Sequence, residues 1–237
     1  MTIIRHSALT HIGRVRRINE DSILALPDQK IWVVADGMGG HEGGDFASQT
    51  VVEAVAALPP DLEPAQRMQA LRAAVLQAHD TIRAETLRRG AKVVGATVVA
   101  LMLTDGHFVA FWAGDSRLYR FRDGTIEMLT TDHSTVAALV AAGSMTWDEA
   151  EYHPQSNAIT RAVGVGEELD LDKVRGEVRP GDRFLICSDG LTKYAGFETL
   201  RRTVGRAPIE TVCEGLVQMA LDGGGADNIS VIVVDVV

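Results

Sequence analysis

Four aspartates stand at the ends of apolar runs. Asp36 follows the run 31–35, Asp115 closely follows 108–113, Asp189 closely follows 184–187, and Asp227 precedes 229–237. Glu20-Asp21 adds two acids near the start. A lone Asp-Gly pair is better read as a turn, and Asp105, Asp123 and Asp182 are read that way. That reading weakens for acids that end runs expected to be core strands, because strand ends of one sheet can converge. Converged carboxylates repel and raise one another's pKa unless cations neutralise them. Oxygen donors suit hard cations such as Mg²⁺ or Mn²⁺. No His/Cys cluster of the zinc type occurs in the chain. Two hard ions roughly 3.5–4 Å apart acidify a bridging water for in-line attack, which is chemistry suited to phosphate esters.

Asp36-Gly37-Met38-Gly39-Gly40-His41 adds a glycine-rich turn after a strand. Such glycines let backbone groups approach a ligand closely. There is no GxxxxGK[ST] and no well-placed GxGxxG, so a nucleotide loop is a weak reading. The net charge of −9 disfavours nucleic-acid binding, which needs a positive footprint. It does not exclude a phosphoprotein substrate, because bound cations reverse the sign of an acidic site.

The elements that must position these acids are short. The runs 31–35, 98–103, 108–113, 184–187 and 229–237 read as buried strands. Helical spacing appears at 46–58, at 64–89 through Met68, Leu71, Val75, Ala78 and Ile82, and at 209–221. Asp105-Gly106 and Asp123-Gly124 lie between apolar runs and predict hairpins. Hairpins imply antiparallel pairing, so sheets with helices outside them fit better than a βαβ repeat. With 237 residues and 46% apolar composition, the chain is expected to form one domain over 1–237, with an irregular flap at 132–165. Cys187 and Cys213 read as buried free thiols. No apolar stretch has signal-peptide or membrane-spanning length, so a cytoplasmic monomer is expected, without membrane or nucleic-acid partners.

At these residues the chain resembles the bacterial PP2C-type (PPM) protein phosphatases. The resemblance rests on segments in order along almost the whole length: 13–21, 36–41, Gly95-Ala96-Thr97, 113–117, Thr131-Asp132-His133-Ser134, 157–164, Ser188-Asp189-Gly190-Leu191-Thr192 and Asp227-Asn228-Ile229-Ser230. It implies an α+β fold, a four-layer αββα sandwich with two mostly antiparallel sheets flanked by helix pairs.

The resemblance also implies roles. Asp36 would bridge two Mn²⁺ or Mg²⁺ ions, with the Gly37 carbonyl on the second. Asp189 and Asp227 would hold the first. Glu20 would hold the second through water, with Asp21 supporting that shell. Arg16 would grip the substrate phosphate with its guanidinium fork. His41 would donate a proton to the leaving oxygen, or else be a loop histidine on a carboxylate. Asp115 resembles the ligand of a third ion, but the acid expected four residues after Asp189 is Lys193. Its ammonium would weaken or replace that ion, unless it points to solvent.

Asp132-His133-Ser134 cannot form a Ser-His-Asp relay from adjacent positions. It reads instead as a turn in which Asp132 or Ser134 caps a helix ahead of Val136. Arg161 is read as structural or flap-facing. The implied activity is dephosphorylation of phosphoserine and phosphothreonine in proteins, opposing a Ser/Thr kinase. The alternatives are a phosphopeptide-binding module without turnover and a small-phosphoester hydrolase. The stretch 26–32 is similar to phosphatases encoded with bacterial type VI secretion systems.

Overall fold

The computed structural model describes residues 3–39, 43–90 and 93–237. In chain order the elements are β1 (Ile4–His11), β2 (Asp21–Leu26), β3 (Ile31–Met38), α1 (Gly44–Ala56), α2 (Pro64–Arg89), β4 (Gly95–Ala96), β5 (Val98–Thr104), β6 (His107–Ala113), β7 (Arg117–Arg122), β8 (Thr125–Met128), α3 (Ala137–Ala141), α4 (Trp147–Ala150), β9 (Asp172–Glu177), β10 (Arg183–Cys187), α5 (Asp189–Thr192), α6 (Phe197–Val204), α7 (Val212–Asp222) and β11 (Ile229–Val236). One sheet has the order β1-β11-β10-β7-β8, and the other β2-β3-β5-β6-β9 with β4 beside β3. These pairings are antiparallel.

Alternation along the strands builds the layers. In β3, Trp32 and Val34 face the other sheet, where, alongside Leu101 of β5, they meet Phe184, Ile186 and Ile232. Ile31, Val33 and Ala35 face the opposite way, onto Val51 and Val55 of α1 and Leu71, Val75 and Ile82 of α2. In β10, Leu185 and Cys187 pack outward against Leu200 of α6 and Leu216 of α7. A strand buried on both faces reads as a continuous apolar run, because both of its period-2 sets lie in a core. The αββα expectation is therefore met, with one helix pair outside each sheet.

Local signals account for the connections. Asp123 and Gly124 both have positive φ, 51° and 75°, which is the type I′ geometry that joins β7 to β8. Pro64 opens α2 at its first turn, and Gly90 ends it in the left-handed region. Two differences from the sequence reading matter for the site. β3 does not stop at Ala35 but continues through Met38, because β2 and β4 supply partners for its last residues. The segment 132–165 carries two short helices, and isolated bridges tie it down at Ser134↔Ile159 and Ala96↔Val163. Cys187 and Cys213 are buried free thiols, and burial pushes the Cys187 thiol up to about 12. Among the described residues no helix is long and apolar enough to cross a membrane.

Candidate active site

The site forms where the ends of β3, β6, β10 and β11 meet the loop between β1 and β2. Asp36 is pinned by its backbone. Its N–H donates to Thr97 Oγ1 at 3.0 Å, and its carbonyl accepts from the Thr97 N–H at 2.8 Å. Thr97 is itself fixed by Ser116, 2.7 Å away. Gly37 lies so close to the start of α1 that a Cβ would sit 2.0 Å from the Gly44 carbonyl oxygen. No larger residue fits there.

Asn228 positions the other side. Its Nδ2 donates to the Ile12 and Ile18 carbonyls, at 2.8 and 3.0 Å, and its Oδ1 accepts from the Glu20 N–H at 2.8 Å. One side chain thereby places Glu20 and Arg16 beside Asp227. Asp21 opens β2 directly opposite Asp36, and its Oδ2 accepts from Ser188 Oγ at 2.8 Å. Asp189 begins α5 immediately after β10, against the chain that carries Asp227. A Cβ on Gly190 would meet the Asn228 carbonyl oxygen at 1.9 Å.

Arg16, Glu20, Asp36, Asp115, Asp189 and Asp227 line one cavity of about 260 Å³. Gly37 lines it too, and Asp21 lies just behind. Residues up to 211 positions apart are thus brought together. His41 lies outside the described residues. A larger cavity of about 490 Å³ shares none of these residues, and two of its three acids are committed, Asp182 to Arg122 and Asp235 to Arg183.

The electrostatics of the acidic cavity are unfavourable without cations. Burial, then repulsion from Asp21, Asp189, Asp115 and Asp227, holds the Asp36 carboxyl well above the usual range. Burial, then Asp189 and Asp132, does the same to Asp115. Burial pushes Asp21 to about 7 despite hydrogen bonds from Ser230 and Ser188. Asp21 Oδ1 and Asp189 Oδ1 are buried with no hydrogen-bond partner among the described residues. Orphaned buried carboxylate oxygens are costly, and divalent cations are the partners that relieve them.

Two internal cations already bind part of this charge. Arg16 forks onto Asp227, with Nε at 2.8 Å from Oδ1 and Nη2 at 2.9 Å from Oδ2. Lys193 Nζ lies 2.7 Å from Asp189 Oδ2 and 3.2 Å from Asp227 Oδ2. Burial opposes ionisation of Asp227, but Arg16 and Lys193 hold its carboxyl below the usual range. Among the described residues no three His, Cys, Asp or Glu side chains are placed to close around one ion. The donor set nevertheless fits hard divalent cations, being all-oxygen, converged and partly orphaned.

A family model described as protein phosphatase 2C matches residues 11–220. The chain belongs to the protein phosphatase 2C family. It is 36% identical to the serine/threonine protein phosphatase PstP of Mycobacterium tuberculosis over 236 residues, which is 99% of this chain and 45% of that protein. The chain thus spans about half the length of that curated relative. Its fold is similar to PppA, a key regulatory component of the type VI secretion system in Pseudomonas aeruginosa. The TM-score is 0.91 and the identity 40%, over 99% of this chain and 98% of that one. It is also similar to the catalytic domain of PstP solved with two manganese ions, with TM-score 0.90 and 35% identity over the whole of both chains.

Within this PP2C-family site, two expectations change, those for Lys193 and Asp132, and the reading of Arg161 as structural holds. Lys193 does not point to solvent; it bridges Asp189 and Asp227. Asp132 does not cap a helix. It is buried and takes Arg117 on both oxygens, Nε at 3.0 Å and Nη2 at 2.7 Å, because Arg117 on β7 is buried and needs counter-ions. α3 starts after Val136 with no side-chain cap. Arg161 pairs with Asp172 at 2.7 Å and contacts His133 Nε2 at 3.1 Å, so it braces the flap's end against β9. Thr97, Ser188 and Asn228 fell inside recognised motifs, but only the hydrogen bonds reveal what they position.

Proposed function

We propose that this chain is a metal-dependent protein phosphatase that hydrolyses phosphoserine and phosphothreonine. The observation that carries this reading is the cavity in which Asp36, Asp189, Asp227 and Asp115 converge with raised or cation-paired carboxyls. In this reading Asp36, Asp189 and Asp227 would hold one divalent cation, and Asp36, the Gly37 carbonyl and, through water, Glu20 would hold a second, with Asp21 supporting that shell. Asp115 is the ligand available to a third. When bound, the cations supply an acidified attacking water and neutralise charge on the phosphoryl group.

The protein's own contributions follow from the geometry. Arg16 is exposed at the cavity mouth, and its planar fork matches two phosphate oxygens. Asn228 keeps Arg16 and Glu20 in register with Asp227. Asn157 and Ile159, from the flap, line the same cavity and wall the site where a substrate segment enters. His41 is retained as the proposed proton donor to the leaving oxygen. Neither cysteine is near enough to solvent to act as a nucleophile.

We read residues 1–237 as one phosphatase domain acting as a cytoplasmic monomer against a Ser/Thr kinase. The likeness to PppA supports placing it with type VI secretion. Mn²⁺ is the first metal to assay. The test is Mn²⁺-dependent release of phosphate from a phosphothreonine peptide, alongside small phosphorylated metabolites, with Asp36→Asn as control. A metal-dependent peptide activity lost in Asp36→Asn is the expected result. Equal, negligible turnover in both proteins, with peptide binding retained, would leave the phosphopeptide-binding module as the correct reading.

A further inference from the structure

Asp227 is held by two cations at once. Arg16 occupies both of its oxygens, and Lys193 shares Oδ2 with it while also holding Asp189 Oδ2. The Lys193 side chain is only 20% exposed, so its ammonium sits within the cavity rather than in bulk water. The placement is built into the fold. Asp189 opens α5 and Lys193 caps its C-terminal end in helical conformation, one turn on, where i and i+4 side chains meet. Asp227 is brought to the same point by the backbone ahead of β11, against Gly190.

A divalent cation bound through these oxygens and an ammonium on the same oxygens repel strongly at this separation. Asp189 Oδ1 has no partner among the described residues, which leaves one open point of approach for an incoming ion. We propose that Lys193 is an internal competitor for the metal: it bridges Asp189 and Asp227 in the metal-free protein and is displaced when a divalent cation binds. This inference rests on the metal-dependent reading above. Metal uptake then becomes an exchange of cations, and the lysine sets the concentration at which the site fills. The same exchange loosens Arg16 from Asp227, freeing the guanidinium for phosphate.

The experiment is calorimetric titration of chelator-treated full-length chain with Mn²⁺, for wild type, Lys193→Met, Lys193→Gln and Asp36→Asn. Both lysine variants are expected to bind Mn²⁺ tighter by about tenfold, since an opposing charge is gone. Their metal-free forms are expected to melt at lower temperature than wild type. A second readout needs no variant: acylation of lysine amines with and without saturating Mn²⁺, mapped by mass spectrometry. Lys193 is expected to become more reactive with metal, while Lys30 and Lys173 stay constant. Equal Mn²⁺ affinity in wild type and both lysine variants overturns the proposal. If neither variant folds, Lys193 labelling that Mn²⁺ does not change overturns it. Absence of Mn²⁺ binding to wild type would instead sink the metal-dependent reading itself, and the exchange with it.

Discussion

Asp21 and Asp36 face each other across the β2–β3 ladder, the first buried and the second opening into the cavity. Like charges directly opposite on an antiparallel pair are destabilising. Burial and this crowd of acids push Asp21 up to about 7 and Asp36 well above the usual carboxyl range. The site is therefore strained electrostatically until cations arrive, and that strain is measurable.

The first prediction concerns pH. An aspartate raised to about 7 holds a proton in the folded state that the unfolded state gives up near 4. The folded state then binds more protons in this window, so stability falls as pH rises through it. Metal-free wild type should lose melting temperature relative to metal-free Asp21→Asn between about pH 4 and pH 7, and the gap should level off above that. Saturating Mn²⁺ should narrow the gap at pH 8, because the cation binds the ionised form. Differential scanning calorimetry of the two proteins checks both statements.

Arg16→Lys separates fork from charge. A lysine keeps one positive charge but cannot present two parallel N–H donors to a phosphate. The Michaelis constant for a phosphothreonine peptide should rise by about tenfold, with Mn²⁺ affinity altered much less. Steady-state kinetics at several fixed Mn²⁺ concentrations measures the split. An unchanged Michaelis constant would remove Arg16 from phosphate binding.

Gly190→Ala tests the close approach behind Asp189. The added methyl would have to sit 1.9 Å from the Asn228 carbonyl oxygen, which is backbone and cannot swing away. The cost should be about 1–3 kcal/mol or more, as for other overpacked sites. Because Asn228 also clamps Glu20, metal affinity should fall together with stability. Urea unfolding and Mn²⁺ titration of the same preparation read out both.

Arg117→Met probes the buried network beneath the flap. Arg117 pairs with Asp132 at 2.7 Å and with Glu151 at 2.8 Å, and its guanidinium lies 5.1 Å from the Trp147 ring centroid. Removing it leaves two acids without their counter-ion, at a cost of about 3–5 kcal/mol. Glu151 and Trp147 belong to the flap, so limited proteolysis within 137–165 should accelerate. Unaltered cleavage there would mean that the flap is held by other contacts.

The sequence alone determined a good deal. Uninterrupted β-branched runs are the signature of strands buried on both faces, and the structure has them between two sheets and two helix layers. Asp123-Gly124 determined a turn because few residue pairs accept two positive φ angles. The acids at run ends pointed to the strand termini that converge on one cavity, because several acids ending core strands together are poorly explained as turns.

Only the tertiary structure decided how those acids are partnered. Nothing local distinguishes Asp132 from a turn aspartate, yet burial of Arg117 on a neighbouring strand makes it a counter-ion. The four-residue step from Asp189 to Lys193 was legible, but the third member, Asp227, is 34 residues from Lys193 in the chain. Sheet order and the close contact at Gly190 bring it there. Register likewise put Asp21 across from Asp36. The physical reason is common to all of these. Ionic partnership depends on distance and burial through the folded protein, and both are set by packing between segments far apart in sequence rather than by the residues on either side.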